Sequence, residues 1–319
     1  MTKYILYSFF LFWVQYASGQ ALKIVSESHT GDSSYYSIVK ITDNEYWIGG
    51  EYGVLKKIDT NRTLSDVNYP NAGNSILKIK KFGNFVYLAC EKGVFYKYNL
   101  ITKIFEKKYF KRFKNKSFYD FVVLPNGKIV VCGGSTKVAT GNKSVPHGFV
   151  AETDTSLAEL NTVKNFPFSF VWSVCGGSKN EIYSAVYRPN VTRIGIHSDI
   201  KKWRKLKKIN GLIYELQYFD TLNYCGFTSY KLKSGTFGDL QMSIQKSTVE
   251  GIWSMDKDKG NFILLTHSGN MVFWFVEDNF NMTIPISERK YPIYDIEMVR
   301  PGYYLMVGHG KGIWTFNFW

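Results

Sequence analysis

His267 and His309 stand 42 residues apart, each just past an apolar strand-like run. Neutral imidazoles at such positions could ligate a metal or carry a proton. Two ligands do not make a site, and His29, His147 and His197 add no third at metal-binding spacing. Cys90, Cys132, Cys175 and Cys225 contain no CxxC pair, which argues against zinc. Four cysteines allow up to two disulfides in three connectivities. Each lies in an apolar run such as Tyr87-Leu88-Ala89-Cys90, so buried free thiols and no disulfide are expected. Nowhere does a nucleophile accompany a base, or one acid another, at catalytic spacing. No metal and no cofactor are expected, and catalysis begins as the weaker reading.

The elements that would position any such residues are strands. The 319 residues are 45% hydrophobic and 17% aromatic, which excludes disorder. Aromatic and β-branched residues dominate, and long Ala/Glu/Leu stretches at helical spacing are missing, so an all-β chain is expected. Lys3 followed by the uncharged run from Tyr4 to Val14 and by Ala17-Ser18-Gly19 has the layout of a secretory signal cut near Gly19-Gln20. The exported chain from Gln20 on has no later run long and apolar enough to span a membrane as a helix. It is expected to be extracellular or periplasmic.

A four-residue pattern then recurs: apolar, large aromatic or apolar, mostly polar, apolar. The copies are Tyr35-Tyr36-Ser37-Ile38, Ile76-Leu77-Lys78-Ile79, Phe118-Tyr119-Asp120-Phe121, Val171-Trp172-Ser173-Val174, Ile213-Tyr214-Glu215-Leu216, Ile252-Trp253-Ser254-Met255 and Ile293-Tyr294-Asp295-Ile296. Their spacings are 41, 42, 53, 42, 39 and 41 residues. That period matches one four-stranded antiparallel blade each, and so a seven-bladed β-propeller as a single domain over 20–319. Turn glycines at 53, 93, 269 and 312 run in phase. Lys103 to Lys116 and Lys201 to Lys208 fall at repeat ends, where solvent-facing outer strands belong. The long interval holds a polar insertion, Gly133 to Gly148, that reads as a long turn in blade three. The chain stops at the third strand of blade seven, so Leu22 to Ser26 is expected to supply the outer strand and close the ring.

Asn126 to Val131 followed by Phe149 to Asp154 looks like the strand pairs of secreted bacterial propellers. His197-Ser198-Asp199 with Trp203 and Leu206 resembles an Asp-box, the Ser-x-Asp-x-Gly-x-Thr-Trp motif of sialidase-like and photosystem-assembly-factor-like propellers. Its Ser-to-Asp spacing is short and its Gly and Thr are absent. A sialidase would need an arginine triad; Tyr187-Arg188-Pro189 is the one match and lies mid-chain. Tryptophan content resembles that of quinone-cofactor propellers, but Trp172, Trp253 and Trp314 read as packing between blades.

A non-catalytic binding or scaffold propeller engaging a protein or glycan is therefore the favoured function. An exported glycoside hydrolase or lyase using the propeller mouth is the alternative. The formal charge of +14 points to an anionic partner, with a solvated rim as the plain explanation; export argues against nucleic acid. Five Asn-x-Ser/Thr sequons, at Asn61, Asn115, Asn142, Asn190 and Asn281, barely exceed chance. The expected contact surface is the face that collects the turns after each second strand. It comprises Glu51 and Tyr52, Glu91 and Lys92, His147, Tyr187 and Arg188, Tyr230, His267, and His309 with Lys311. The opposite face carries tight-turn residues such as Asp43-Asn44 and Gly83-Asn84.

Overall fold

The computed structural model describes residues 22–26, 33–71, 73–138, 144–177, 180–188, 191–199, 202–210, 215–219, 223–228, 231–236, 243–244, 252–258, 261–266, 270–275, 280–285 and 293–317. The described elements are nearly all strands. After β1 (Leu22–Ser26) come β2 (Tyr35–Thr42), β3 (Glu45–Gly50), β4 (Leu55–Asp59) and β5 (Leu64–Asp66), then β6 (Ile76–Phe82), β7 (Phe85–Cys90), β8 (Val94–Asn99) and β9 (Phe105–Tyr109). The middle of the chain forms β10 (Ser117–Val123), β11 (Ile129–Val138), β12 (Ser144–Thr153), β13 (Asn161–Pro167), β14 (Phe170–Gly176), β15 (Ile182–Arg188), β16 (Val191–Asp199) and β17 (Lys202–Asn210). There follow β18 (Leu216–Phe219), β19 (Asn223–Thr228), β20 (Lys231–Thr236), β21 (Ser243–Ile244), β22 (Ile252–Asp258), β23 (Asn261–Thr266), β24 (Asn270–Phe275) and β25 (Phe280–Pro285). Last are β26 (Ile293–Arg300), β27 (Tyr303–Gly308) and β28 (Ile313–Asn317).

From β2 onward these strands group by fours into antiparallel sheets in chain order. The final sheet has the order β1-β28-β27-β26, with Leu22, Lys23 and Ile24 opposite Phe316, Thr315 and Trp314. Among the described residues no helix is long and apolar enough to cross a membrane.

The core lies in the wedges between successive sheets. Trp47 and Leu55 pack with Ile76, Ile79 and Leu88 of the next sheet. Tyr87 and Phe95 pack with Phe118, Phe121 and Phe149 of the one after. Leu305, Val307 and Ile313 of the β26–β28 sheet pack with Tyr35, Ile38 and Tyr46. A sheet covered on both faces needs continuous apolar strands, and Phe85–Cys90 is buried from Val86 through Cys90. Each such large side chain contributes about 1.5–3 kcal/mol on burial. Outer strands are wet, and the Lys-rich β9 exposes Glu106, Lys107 and Tyr109.

Two expectations need correction. The segment from Gly133 to Gly148 is not a long turn: β11 and β12 extend through most of it as a hairpin, pairing Ser135 with His147 and Val138 with Ser144. Alternate Thr and Val residues make it as good a strand as a loop. The basic run at 103–116 is not all outer strand either. Strand β9 ends at Tyr109, and a 3-10 turn, Lys111–Phe113, folds the rest toward the next sheet because Phe113 is drawn into the core. Cys90, Cys132 and Cys175 are buried free thiols, pushed upward in pKa by burial.

Candidate functional site

In six copies the four-residue repeat lies at the start of the innermost strand of its sheet, and its second residue is a β-bulge; Ile213 and Tyr214 of the fifth copy lie outside the described residues. Register slips between Tyr35 and Ser37, Ile76 and Lys78, Phe118 and Asp120, Val171 and Ser173, Ile252 and Ser254, and Ile293 and Asp295. A bulge leaves one residue unpaired and re-aims its side chain. Here the bulged Tyr36, Leu77, Tyr119, Trp172 and Tyr294 turn into a common cavity of about 310 Å³. Trp172 is half-buried in its wall and stacks on Tyr119 of the preceding sheet, ring centroids 4.6 Å apart, whereas Trp314 is buried between sheets. The packing between blades expected of Trp172 is thus made in the cavity wall, against Tyr119 of the preceding sheet. Tyr36 and Tyr294 form a second pair, 5.6 Å apart. Burial first, then the bond to Glu51, pushes up the Tyr36 phenol; burial first, then Cys132, takes Tyr119 to about 12. These phenols remain protonated donors.

Of the third residues, Lys78, Asp120 and Glu215 line the cavity floor, and with Ser37, Ser173, Ser254 and Asp295 they tie the sheets together. Asp295 Oδ2 accepts from Ser37 Oγ at 3.0 Å and from the Ile38 N–H at 3.0 Å, and Oδ1 accepts from Ser254 Oγ at 2.6 Å. Asp120 Oδ2 accepts from Ser173 Oγ at 2.7 Å and from the Val174 N–H at 3.2 Å. Ser37 and Ser173 accept in turn from the N–H groups of Ile79 and Leu216. In each case the acceptor serves the fourth repeat residue of the next sheet. Lys78 lies between Asp295 and Glu215, at 3.5 and 3.6 Å. Burial acts against its charge, but Asp295 and then Glu215 outweigh it, and its pKa is raised. Lys80 pairs with Asp120 at 2.7 Å.

A wider cavity of about 950 Å³ lies against the turns β2–β3, β4–β5 and β26–β27 and is lined by Lys40, Arg62, Asp256, Glu297 and Arg300 among others. Asp256 Oδ2 accepts from the Met298 N–H at 2.9 Å. Burial, then Asp256 and Asp295, pushes Glu297 up to about 8. Among the described residues no three His, Cys, Asp or Glu side chains converge as a metal-ligand set.

The turn residues expected to bind surround the mouth without lining it. Glu51 and Tyr52 lie in a 3-10 turn after β3, Glu91 and Lys92 in the turn after β7, and His309 and Lys311 in the turn after β27. Tyr36 Oη donates to Glu51 Oε1 at 2.5 Å, and Glu51 Oε2 accepts the Ser34 N–H. Ser34 Oγ also lies 3.0 Å from His309 Nδ1, so Glu51 and His309 converge on Ser34. Glu91 accepts the corresponding Ser75 N–H. His147 and Arg188 converge similarly on Ser169: His147 bridges it through the backbone, and Arg188 Nε donates to its Oγ. Tyr187 pairs with Phe170 at the end of β15. Tyr230 and His267 lie outside the described residues. The Asp-box-like segment serves packing: His197 and Trp203 face each other across β16 and β17 and share Ser184 Oγ. Burial, then Lys164, holds His197 down near about 4, a neutral imidazole.

Mouth aromatics and floor charges had a visible signal. A strand buried on both faces should be aliphatic, yet every repeat puts aromatics or charges at the same two phases.

No protein-family model matches the chain, and no curated protein matches it in sequence. Solved structures do resemble it. Catalytically inactive virginiamycin B lyase from Staphylococcus aureus, with quinupristin, aligns at TM-score 0.68 and 12% identity over 93% of this chain and 98% of that one. YCF48 from Cyanidioschyzon merolae aligns at TM-score 0.66 and 12% identity over 93% and 98%; YCF48 is also solved bound to D1 peptide. The WD40 β-propeller domain of Doa1 aligns at TM-score 0.69 and 10% identity over 93% and 96%. At such identities the likeness concerns architecture alone, and the architecture of this chain is a β-propeller of four-stranded antiparallel sheets.

Proposed function

We propose that this chain is an exported, non-catalytic binding propeller of seven blades. It forms one domain over 20–319, closed by its N-terminal strand, and takes part of a protein or glycan partner into the aromatic mouth. The repeat count and the pairing of β1 with β28 support the closed ring. The signal-like N-terminus supports export. One observation carries the binding reading: bulges at the same position in successive sheets turn Tyr36, Tyr119, Trp172 and Tyr294 away from the core and into one cavity. Exposing aromatic faces forgoes burial, which makes sense where a ligand covers them. Tyr52, Lys92 and Lys311 on the surrounding turns extend the contact surface, and YCF48 with its peptide illustrates a propeller that binds a partner.

Catalysis in the mouth is less well supported. The Asp120 and Asp295 oxygens are occupied by hydroxyl and N–H donors between sheets, which ill suits a general base. The Ser34–His309 contact is the feature that a hydrolase or lyase would use. A glycan array and a peptide library probed with the mature protein, with Trp172→Ala and with His309→Ala separate the readings. Loss of capture in Trp172→Ala, with no substrate turnover by the parent, is the expected result. Turnover abolished by His309→Ala would establish the enzyme instead.

A further inference from the structure

We infer that the segment 110–116, with Lys92, is a preorganised cationic site on the mouth rim, and that the ligand is an anionic polysaccharide. The inference rests on the binding reading of the mouth. Lys92, Lys111, Arg112 and Lys114 are exposed, and no ion pair joins any of them to a carboxylate among the described residues. Their backbone is held. The Gly93 N–H donates to Lys116 O and the Phe110 N–H to Gly93 O, locking the Lys92 turn against the segment. The Phe113, Lys114 and Lys116 N–H groups donate to Phe110, Lys111 and Phe113 carbonyls, closing the segment on itself. Phe113 is the anchor, buried against Phe118 and Phe149. At Gly93, with φ +72°, a Cβ would come within 2.7 Å of Phe113 O, so the clamp requires glycine. Solvated lysines on a flexible loop need no such fastening. Here the cations are presented from a fixed platform, which lowers the ordering cost of binding.

The site is continuous with the mouth. Tyr119, a wall of the cavity, lies three residues beyond Lys116, roughly 10 Å along an extended strand. Leu77, another wall, begins the same sheet that carries the Lys92 turn. A ligand spanning both must offer flat faces to Tyr119 and Trp172, hydrogen-bonding groups to the floor, and repeated negative charge to the rim. A uronate-bearing or sulfated sugar chain has all three. An acidic peptide of carboxylate side chains meets the cations but brings no ring to the walls. An anionic membrane surface is flat where the mouth is concave.

The test uses the mature protein from a host that does not glycosylate, because Asn115 within the segment is a sequon. Binding of a heparin oligosaccharide is compared with polyglutamate and with phosphatidylserine vesicles. The triple reversal Lys111→Glu, Arg112→Glu, Lys114→Glu should weaken the oligosaccharide at least about tenfold at low salt. The same charge change on the exposed outer strand β17, Lys202→Glu, Arg204→Glu, Lys205→Glu, should alter it less than about twofold. Polyglutamate or vesicles binding as tightly as the sugar would overturn the ligand class. Equal loss in the two triples would reduce the effect to net charge and overturn the site, as would no loss in the first. Trp172→Ala separates the two readings. If it alone weakens the sugar, the mouth reading stands and the cationic site falls; if only the first triple does, the site stands and the mouth reading falls. Thermal melting of each variant verifies folding.

Discussion

Two cavities border the same strands, β2 and β26, and do different things. At the mouth, bulged aromatics stand apart from the hydrogen-bond ladder and enclose about 310 Å³. The second cavity is about three times larger, yet Asp256 is committed to the Met298 N–H, and burial, then Asp256 and Asp295, holds the proton on Glu297. Size therefore does not identify the site. A group that already satisfies the backbone of the next sheet has little left for a ligand, whereas an aromatic re-aimed by a bulge keeps part of its ring facing the cavity. Asp120 lines the mouth, but it and Asp295 form a middle layer of ties between sheets, their oxygens taken by donors of the neighbouring sheets.

The largest effect should come from that middle layer. Asp295→Ala removes the acceptor for Ser37, Ile38 and Ser254 and one of the carboxylates beside Lys78, so a loss of about 3–5 kcal/mol is expected in chemical denaturation. Both cavities should be lost together. The larger cavity can then be isolated by pH. Folding raises Glu297 from about 4.3 in the unfolded chain to about 8. The native state thus keeps a proton that the unfolded state releases, and this group's contribution falls as pH climbs through that window and levels off above it. Glu297→Gln should flatten the decline in melting temperature between acidic and mildly alkaline buffer; an unchanged slope would show that Glu297 is not its source.

The mouth should respond in the opposite sense. Trp172→Ala is expected to cost less than about 2 kcal/mol of stability, since the ring lies in the cavity wall and not in the core between sheets, while removing ligand capture. A large loss of stability would return Trp172 to the core. The smallest effect belongs to the rim. Tyr52 is 71% exposed and sits at φ +55°, a conformation glycine adopts freely. Tyr52→Gly should therefore stabilise by about 0.5–1 kcal/mol in a melting experiment and, if Tyr52 touches the partner, weaken binding slightly.

Much of this was legible in the residues. The period of the repeat, the continuous apolar runs such as Val86 to Cys90, and the lysines of β9 and β17 followed from the need to cover a sheet on both faces and wet its outer edge. Hydrophobic pattern is a local property, and so is the tendency of Gly93 or Gly53 to turn the chain. The fates of adjacent repeat residues were not local. Tyr36 and Ser37, or Trp172 and Ser173, differ by one position, and a strand of strict alternation would send them to opposite faces without saying which is the mouth. A register slip decided it by turning the aromatic outward, and that slip exists only once the inner strand pairs with its neighbour. The partners of Asp120 and Asp295 lie 53 and 258 residues away along the chain, in other sheets. Sequence alone determined the strands and their number per repeat; which side chains became walls, which became ties, and which cations were clamped to the rim was decided by packing between sheets.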